Sequence, residues 1–181
     1  MSFYSGPDLA RAFRTVRTNT IEVAKDIPEE KYGFRAADGT MTVAEMLAHL
    51  AASPNWQLAA HRDDKVTMIR VEDFQKYVGV SNAYAATLKT KAEIVAALET
   101  NGATLASWLE SLAPATLAEI VSFPPPIQPS EKTRFEMLMG IKEHEMHHRA
   151  QLMLIERLLG IVPHLTRARQ ARQAAQAQAA R

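Results

Sequence analysis

The 181-residue sequence predicts an all-α fold, an up-down-type four-helix bundle with long connecting segments. Three observations carry that expectation. Four long segments repeat apolar residues at alternating steps of four and three, capping and stop residues bracket them, and strand-like alternation is almost absent. A helix with one apolar stripe must bury it against another element, and four such stripes bury one another in a bundle.

The first segment begins after Pro7, where Leu9, Phe13, Val16, Thr20, Val23 and Ile27 fall on one face, and it ends at Pro28. A loop through Gly33 and Gly39 leads to Thr42-Val43-Ala44-Glu45, in which threonine and glutamate can cap orphan amides reciprocally. The second helix starts there and runs toward His61. Pro54 lies inside it and is expected to kink it or end it early. From Asp63 to Lys89 the periodicity is weak, and a short helix at Glu72 to Tyr77 competes with a long functional loop.

Thr90-Lys91-Ala92-Glu93 repeats the capping pattern and opens a third helix with the stripe Ile94, Leu98, Asn101, Leu105, Trp108 and Leu112. Between Ala113 and Pro129, the run Phe123-Pro124-Pro125-Pro126 and then Pro129 break regularity, giving an ordered surface loop. Ser130 is placed to cap the fourth helix, which continues to about Leu159 before Gly160 and Pro163. Residues 1–163 are thus expected to form the bundle. Residues 164–181 read as a basic Ala-, Gln- and Arg-rich tail carrying Arg167, Arg169, Arg172 and Arg181, either a frayed helix or a disordered end.

Composition narrows the function classes. With 47% hydrophobic and 23% charged residues the chain is an ordinary globular one, and a net charge of +1 supplies no field to gather nucleic acid or an anionic membrane. The N-terminal residues lack an apolar signal core and no stretch approaches the roughly 20 apolar residues of a membrane span, so a cytoplasmic location is expected. The absence of cysteine leaves His, Asp and Glu to do any metal or catalytic work.

On the fourth helix the stripe reads Met137, Ile141, His144, His148, Gln151 and Ile155. Two imidazoles one turn apart share a face, with Cβ atoms roughly 5–6 Å apart, a spacing from which both rings reach one ion. Buried without partners they would cost a few kcal/mol, and a divalent cation meets that need. Two ligands leave such a site incomplete. His49 is the leading candidate for a third, because it shares its face of the second helix with Met46, Ser53 and Trp56. His147 points about 60° away from His144 and about 100° from His148, which makes it a flanking residue. His61 and His164 are expected at the surface, and Trp56 and Trp108 in the core.

His144-Glu145-Met146-His147-His148 also satisfies the metalloprotease pattern HExxH. Gln151 stands where the extended motif has glycine, Glu156 follows on the same helix, and no sheet precedes, so a protease is not the expectation. Two further residues are candidates for catalysis. Gln151 could orient a ligand or bound water, and Glu145 could accept a proton, against the alternative of a solvated surface charge. Arg149 reads as a surface arginine that could pair with an acidic substrate group.

The stretch His144 to Pro163, HEMHHRAQLMLIERLLGIVP, resembles the C-terminal helix of the DinB family, and Thr42 to Leu50 resembles its second-helix segment. The resemblance covers about Leu9 to Pro163. It implies a four-helix bundle, usually a homodimer, with one divalent ion per chain, zinc or nickel, on His49, His144 and His148, with open positions for water or substrate. Relatives include thiol-dependent transferases, so the implied activity is a metal-dependent thiol S-transferase or hydrolase acting on a small electrophile with a low-molecular-weight thiol. A non-catalytic metal-stabilised binding or stress-response module is the alternative, and a helical bundle with no metal and two hydrogen-bonded core histidines is a third reading. Ala150, where the family often has glycine, and Pro54 depart from the pattern.

Overall fold

The computed structural model describes residues 4–180. Arg181 of the basic tail and the first three residues of the N-terminal segment lie outside the described residues.

Helix α1 spans Gly6–Asp26 and starts on a reciprocal cap between Ser5 and Asp8. All six residues of its expected stripe are buried, Ile27 just beyond the last turn included. Helix α2 spans Val43–Gln57 and opens on the Thr42–Glu45 capping box. It does not end at Pro54. It continues to Gln57 and then widens into a π-helical turn over Leu58–Asp63. A proline donates no hydrogen bond to the carbonyl four residues back, and the freed Leu50 carbonyl is taken by Ser53 Oγ at 3.1 Å and Arg17 Nη2 at 3.0 Å.

The weakly patterned connection contains a full helix, α3, over Val71–Ala85, not a short one. Its apolar signal is faint because only Tyr77 and Ser81 are buried, while Val71, Phe74 and Val80 remain exposed. Helix α4 covers Lys91–Glu110, again from the expected Thr90–Glu93 box. The proline-rich segment is partly regular. A short α5 at Pro114–Leu117 precedes strand β1, Ile120–Ser122, which pairs antiparallel with β2, Glu131–Thr133, in the register Val121 to Lys132. Helix α6 spans Arg134–Leu158 and is capped by Thr133 with Glu136, not by Ser130, because residues 131–133 are drawn into β2. The tail is a helix, α7, over His164–Ala179, with no buried residue and an ion pair from Arg167 to Asp26 at 2.7 Å.

Helix α1 packs against α4 and α6, and α2 packs against those same two helices and against α3 outside the bundle. Around the bundle the order is therefore α1, α4, α2, α6, and the long connections allow this placement. Two apolar clusters fill the interior. One gathers Val23, Ile27, Leu47, Leu98 and Leu152, the other Phe13, Leu58, Leu105, Leu138 and Ile141. A charged layer lies between them. Arg17 Nη2 meets Glu145 Oε2 at 2.8 Å, both side chains almost wholly buried. Among the described residues no helix is long and apolar enough to cross a membrane.

Candidate metal centre

The deepest face of α6 is Arg134, Leu138, Ile141, Glu145, Leu152, Ile155 and Glu156. The expected stripe through Met137, His144, His148 and Gln151 therefore flanks the core instead of facing its centre. The reason is Glu145, a charged residue at the middle of the buried face, which apolar periodicity cannot register. As a consequence His144 and His148 are half-buried, and His144 lines a cleft.

From α2, His49 faces both. His49 Nε2 and His144 Nε2 stand 2.9 Å apart, and the three ring centroids are separated by 4.9, 5.1 and 4.7 Å. One ring nitrogen from each residue lies within 4.8 Å of the others, so the group could hold a metal ion. Burial first, and then the neighbouring imidazoles, push the His144 pKa down to about 4. Burial, then His148, lowers that of His49 as well. At neutral pH these rings are uncharged and offer lone pairs, the form a cation requires.

Gln151 lies one turn beyond. Its Oε1 accepts from His148 Nδ1 at 2.8 Å, which fixes the tautomer and leaves the His148 Nε2 lone pair free. His147 is exposed beside His148, with ring centroids 5.0 Å apart, and is not in the cluster. Glu145 is not a solvated charge. Its carboxylate accepts from Arg17 Nε and Nη2 at 3.1 and 2.8 Å, deep between the helices, and does not line the cleft. The glutamate of the HExxH pattern is thus engaged elsewhere.

Several other placements differ from expectation. His61 is buried, not superficial, because the π-helical turn rotates it inward, where Arg134 Nη1 donates to its Nδ1 at 2.8 Å. Burial, then the Arg134 charge, lowers its pKa to about 4. His164 is half-buried with Nε2 3.0 Å from Asn19 Oδ1. Arg149 is partly buried and reaches the Val16 carbonyl at 3.5 Å. Trp56 is a cavity wall, its ring 5.9 Å from that of Phe74, and Trp108 lines a separate cavity near His61.

The cleft beside His49 and His144 has a volume of about 430 Å³. Trp56, Phe74, Val78, Met137 and Ile141 supply its apolar walls, and Ser53, Gln57, Asn82, Lys132 and Glu136 its polar points. Gln57 Oε1 is buried there without a hydrogen-bond partner. The contribution of α3 was invisible in sequence, since Phe74, Val78 and Asn82 sit in the weakly periodic connection. Spacing of Phe74, Val78 and Ser81 by four and three is the signal that could have found it.

A helical bundle with three imidazoles from two helices meeting beside a cleft defines a class: all-α proteins with a candidate three-histidine metal site. The DinB superfamily model matches residues 12–152, and the chain belongs to that superfamily. Solved structures share the fold. A DinB-like protein from Bacillus subtilis, YjoA, is 20% identical, with a TM-score of 0.61 covering 84% of this chain and 92% of its own. YfiT from Bacillus subtilis, described as a probable metal-dependent hydrolase with an unusual four-helix bundle topology, is 18% identical, with a TM-score of 0.61 covering 89% and 91%. The sibling lethal factor precursor DfsB is 12% identical, with a TM-score of 0.65 covering 89% and 100%. No curated protein matches the chain. At these identities the likeness is one of fold, and fold alone does not carry an activity.

Proposed function

We propose that this protein is a metal-dependent enzyme that activates a small thiol or a water for transfer to a small electrophile, with His49, His144 and His148 as the ligands of one zinc or nickel ion. The observation that carries the reading is the convergence of three imidazoles from two helices beside a cleft that two of them line. Three protein ligands leave a coordination position for an exchangeable group, whereas a purely structural site is closed by four. When bound, such a cation lowers the pKa of a coordinated thiol or water toward neutrality.

The chain's own residues divide the remaining work. Gln151 orients His148 through Nδ1. Trp56 and Phe74 form an apolar wall that excludes water and favours a substrate with a hydrocarbon or aromatic body. Lys132, on β2, lines the cleft together with Glu136, whose carboxylate feels its charge, and is the cation there that meets an anionic group on the substrate or the thiol. Hydrolysis is the water-using version of the same chemistry, and YfiT, which shares the fold, is described as a probable metal-dependent hydrolase.

The test is elemental analysis followed by spectroscopy. The purified chain is expected to carry about one divalent ion, and His148→Ala to lose it; full occupancy in that variant refutes the site. Cobalt-loaded protein is then titrated with a panel of small thiols. Sulfur-to-metal charge-transfer absorption supports thiol activation, and its absence with every thiol argues against it.

A further inference from the structure

The polar layer between the two apolar clusters is organised by one side chain. Arg17, 4% exposed, donates from Nε and Nη2 to Glu145 on α6, from Nη1 to the Leu98 carbonyl on α4 at 3.1 Å, and from Nη2 to the Leu50 carbonyl on α2. Its own helix is α1, so a single guanidinium joins all four helices of the bundle. Two of its acceptors adjoin proposed ligands: Leu50 follows His49 and Glu145 follows His144.

The acceptor on α2 exists because of Pro54. With no amide hydrogen at that position, the Leu50 carbonyl is released from the helical ladder and turned to Arg17. The next two carbonyls are also taken from outside the helix: Asn101 Nδ2 donates to Ala51 at 2.9 Å, and Ser81 Oγ to Ala52 at 3.1 Å. Ser81 Oγ in turn accepts from the Trp56 amide at 3.1 Å, inserting itself into the ladder. The stretch of α2 just after His49 is therefore gripped by α1, α3 and α4.

His144 and His148 are spaced by the geometry of one helix. His49 comes from another, so the shape of the cluster has one free variable, the position of α2 against α6. We propose that Arg17 is a positioning residue for the metal site, setting the separation of His49 from His144 by tying the Leu50 carbonyl to the Glu145 carboxylate. Stability alone is a poor reason for such a pair, because buried ion pairs replaced by apolar residues of similar size often leave a fold as stable as before. The inference rests on the metal reading above and is tested separately from it.

The double variant Arg17→Met/Glu145→Met removes both charges together, so neither is stranded. Cobalt affinity and the visible d–d absorption are measured for the parent, the double variant and Leu109→Val, a core change remote from the polar layer. The double variant is expected to keep the parent's helical circular dichroism while its cobalt affinity falls about tenfold or more and its absorption envelope changes. Leu109→Val keeps both parent values. A folded double variant with parent affinity and spectrum overturns the proposal and leaves the metal site standing. If the double variant fails to fold, Arg17→Lys decides: one ammonium cannot span the acceptors of a planar fork, so its cobalt affinity must fall, and a parent value overturns the proposal. A parent chain that takes up no cobalt overturns the metal reading itself, and the positioning role with it.

Discussion

Gly102 on α4 stands directly against Arg17: a β-carbon on Gly102 would come within 2.8 Å of Arg17 Cγ and 3.2 Å of Cδ. Helix propensity favours alanine over glycine there by roughly 0.5–1 kcal/mol. Packing opposes it, because the guanidinium is anchored on three other helices and its aliphatic stem cannot swing aside. Gly102→Ala is expected to destabilise the protein by about 1 kcal/mol or more in urea denaturation. A variant more stable than the parent would show that the arginine stem is free to move.

Gln151 bears on the site from outside. Its side chain is exposed and its one recorded bond is to His148, so Gln151→Leu should leave the melting temperature nearly unchanged. Metal affinity should drop by about 10- to 100-fold, the usual cost of losing a partner that orients an imidazole. Competition with a chromophoric chelator measures it, and unchanged affinity would dismiss the role.

Glu156 carries a pH dependence of known sign. Both carboxylate oxygens are buried without hydrogen bonds, and burial, with the Asp26 charge adding, raises the pKa from 4.5 to about 7. The folded state keeps its proton longer than the unfolded one, so this residue's contribution is intact below pH 4.5 and is lost as pH rises through about 7. Glu156→Gln should raise the melting temperature at pH 8, gaining roughly 2–4 °C per kcal/mol recovered, and have little effect at pH 4.5. Equal effects at the two pH values would contradict the assignment.

Arg134 is 1% exposed and donates to Glu119, His61 and the Val66 carbonyl. Arg134→Leu strands His61 with both ring nitrogens unmet, which should cost about 1–3 kcal/mol. Thermal unfolding at pH 7 measures the loss, and a parent-like midpoint would mean that water replaces the guanidinium.

Much of this fold was legible because its determinants are local. Leu9 through Ile27 form one apolar row, and the Thr42–Glu45 and Thr90–Glu93 pairs mark helix starts wherever they occur. The candidate metal site was legible for a related reason, since the four-residue step from His144 to His148 needs no tertiary information. What escaped depended on partners distant in sequence. Glu145 looks like a surface residue until Arg17, 128 positions away, is placed beside it. His61 needs the π-helical turn to point inward, and α3 hides its role because it packs mostly by two residues while presenting Phe74 to a cleft.

The charged layer also distinguishes the native setting of α6 from settings shifted by one turn. Leucine and isoleucine recur along α6 closely enough that a slip of one turn, about 5.4 Å, would still bury apolar surface. It would not satisfy Arg17. Such a slip brings either Ile141 or Arg149 opposite the guanidinium, an alkyl group or a second cation in place of a carboxylate. Neither one-turn slip meets that requirement, and the setting that does is the one in which His144 and His148 arrive level with His49. The vertical setting of the longest helix is thus tied deep in the interior, away from the cleft beside which its two histidines meet His49.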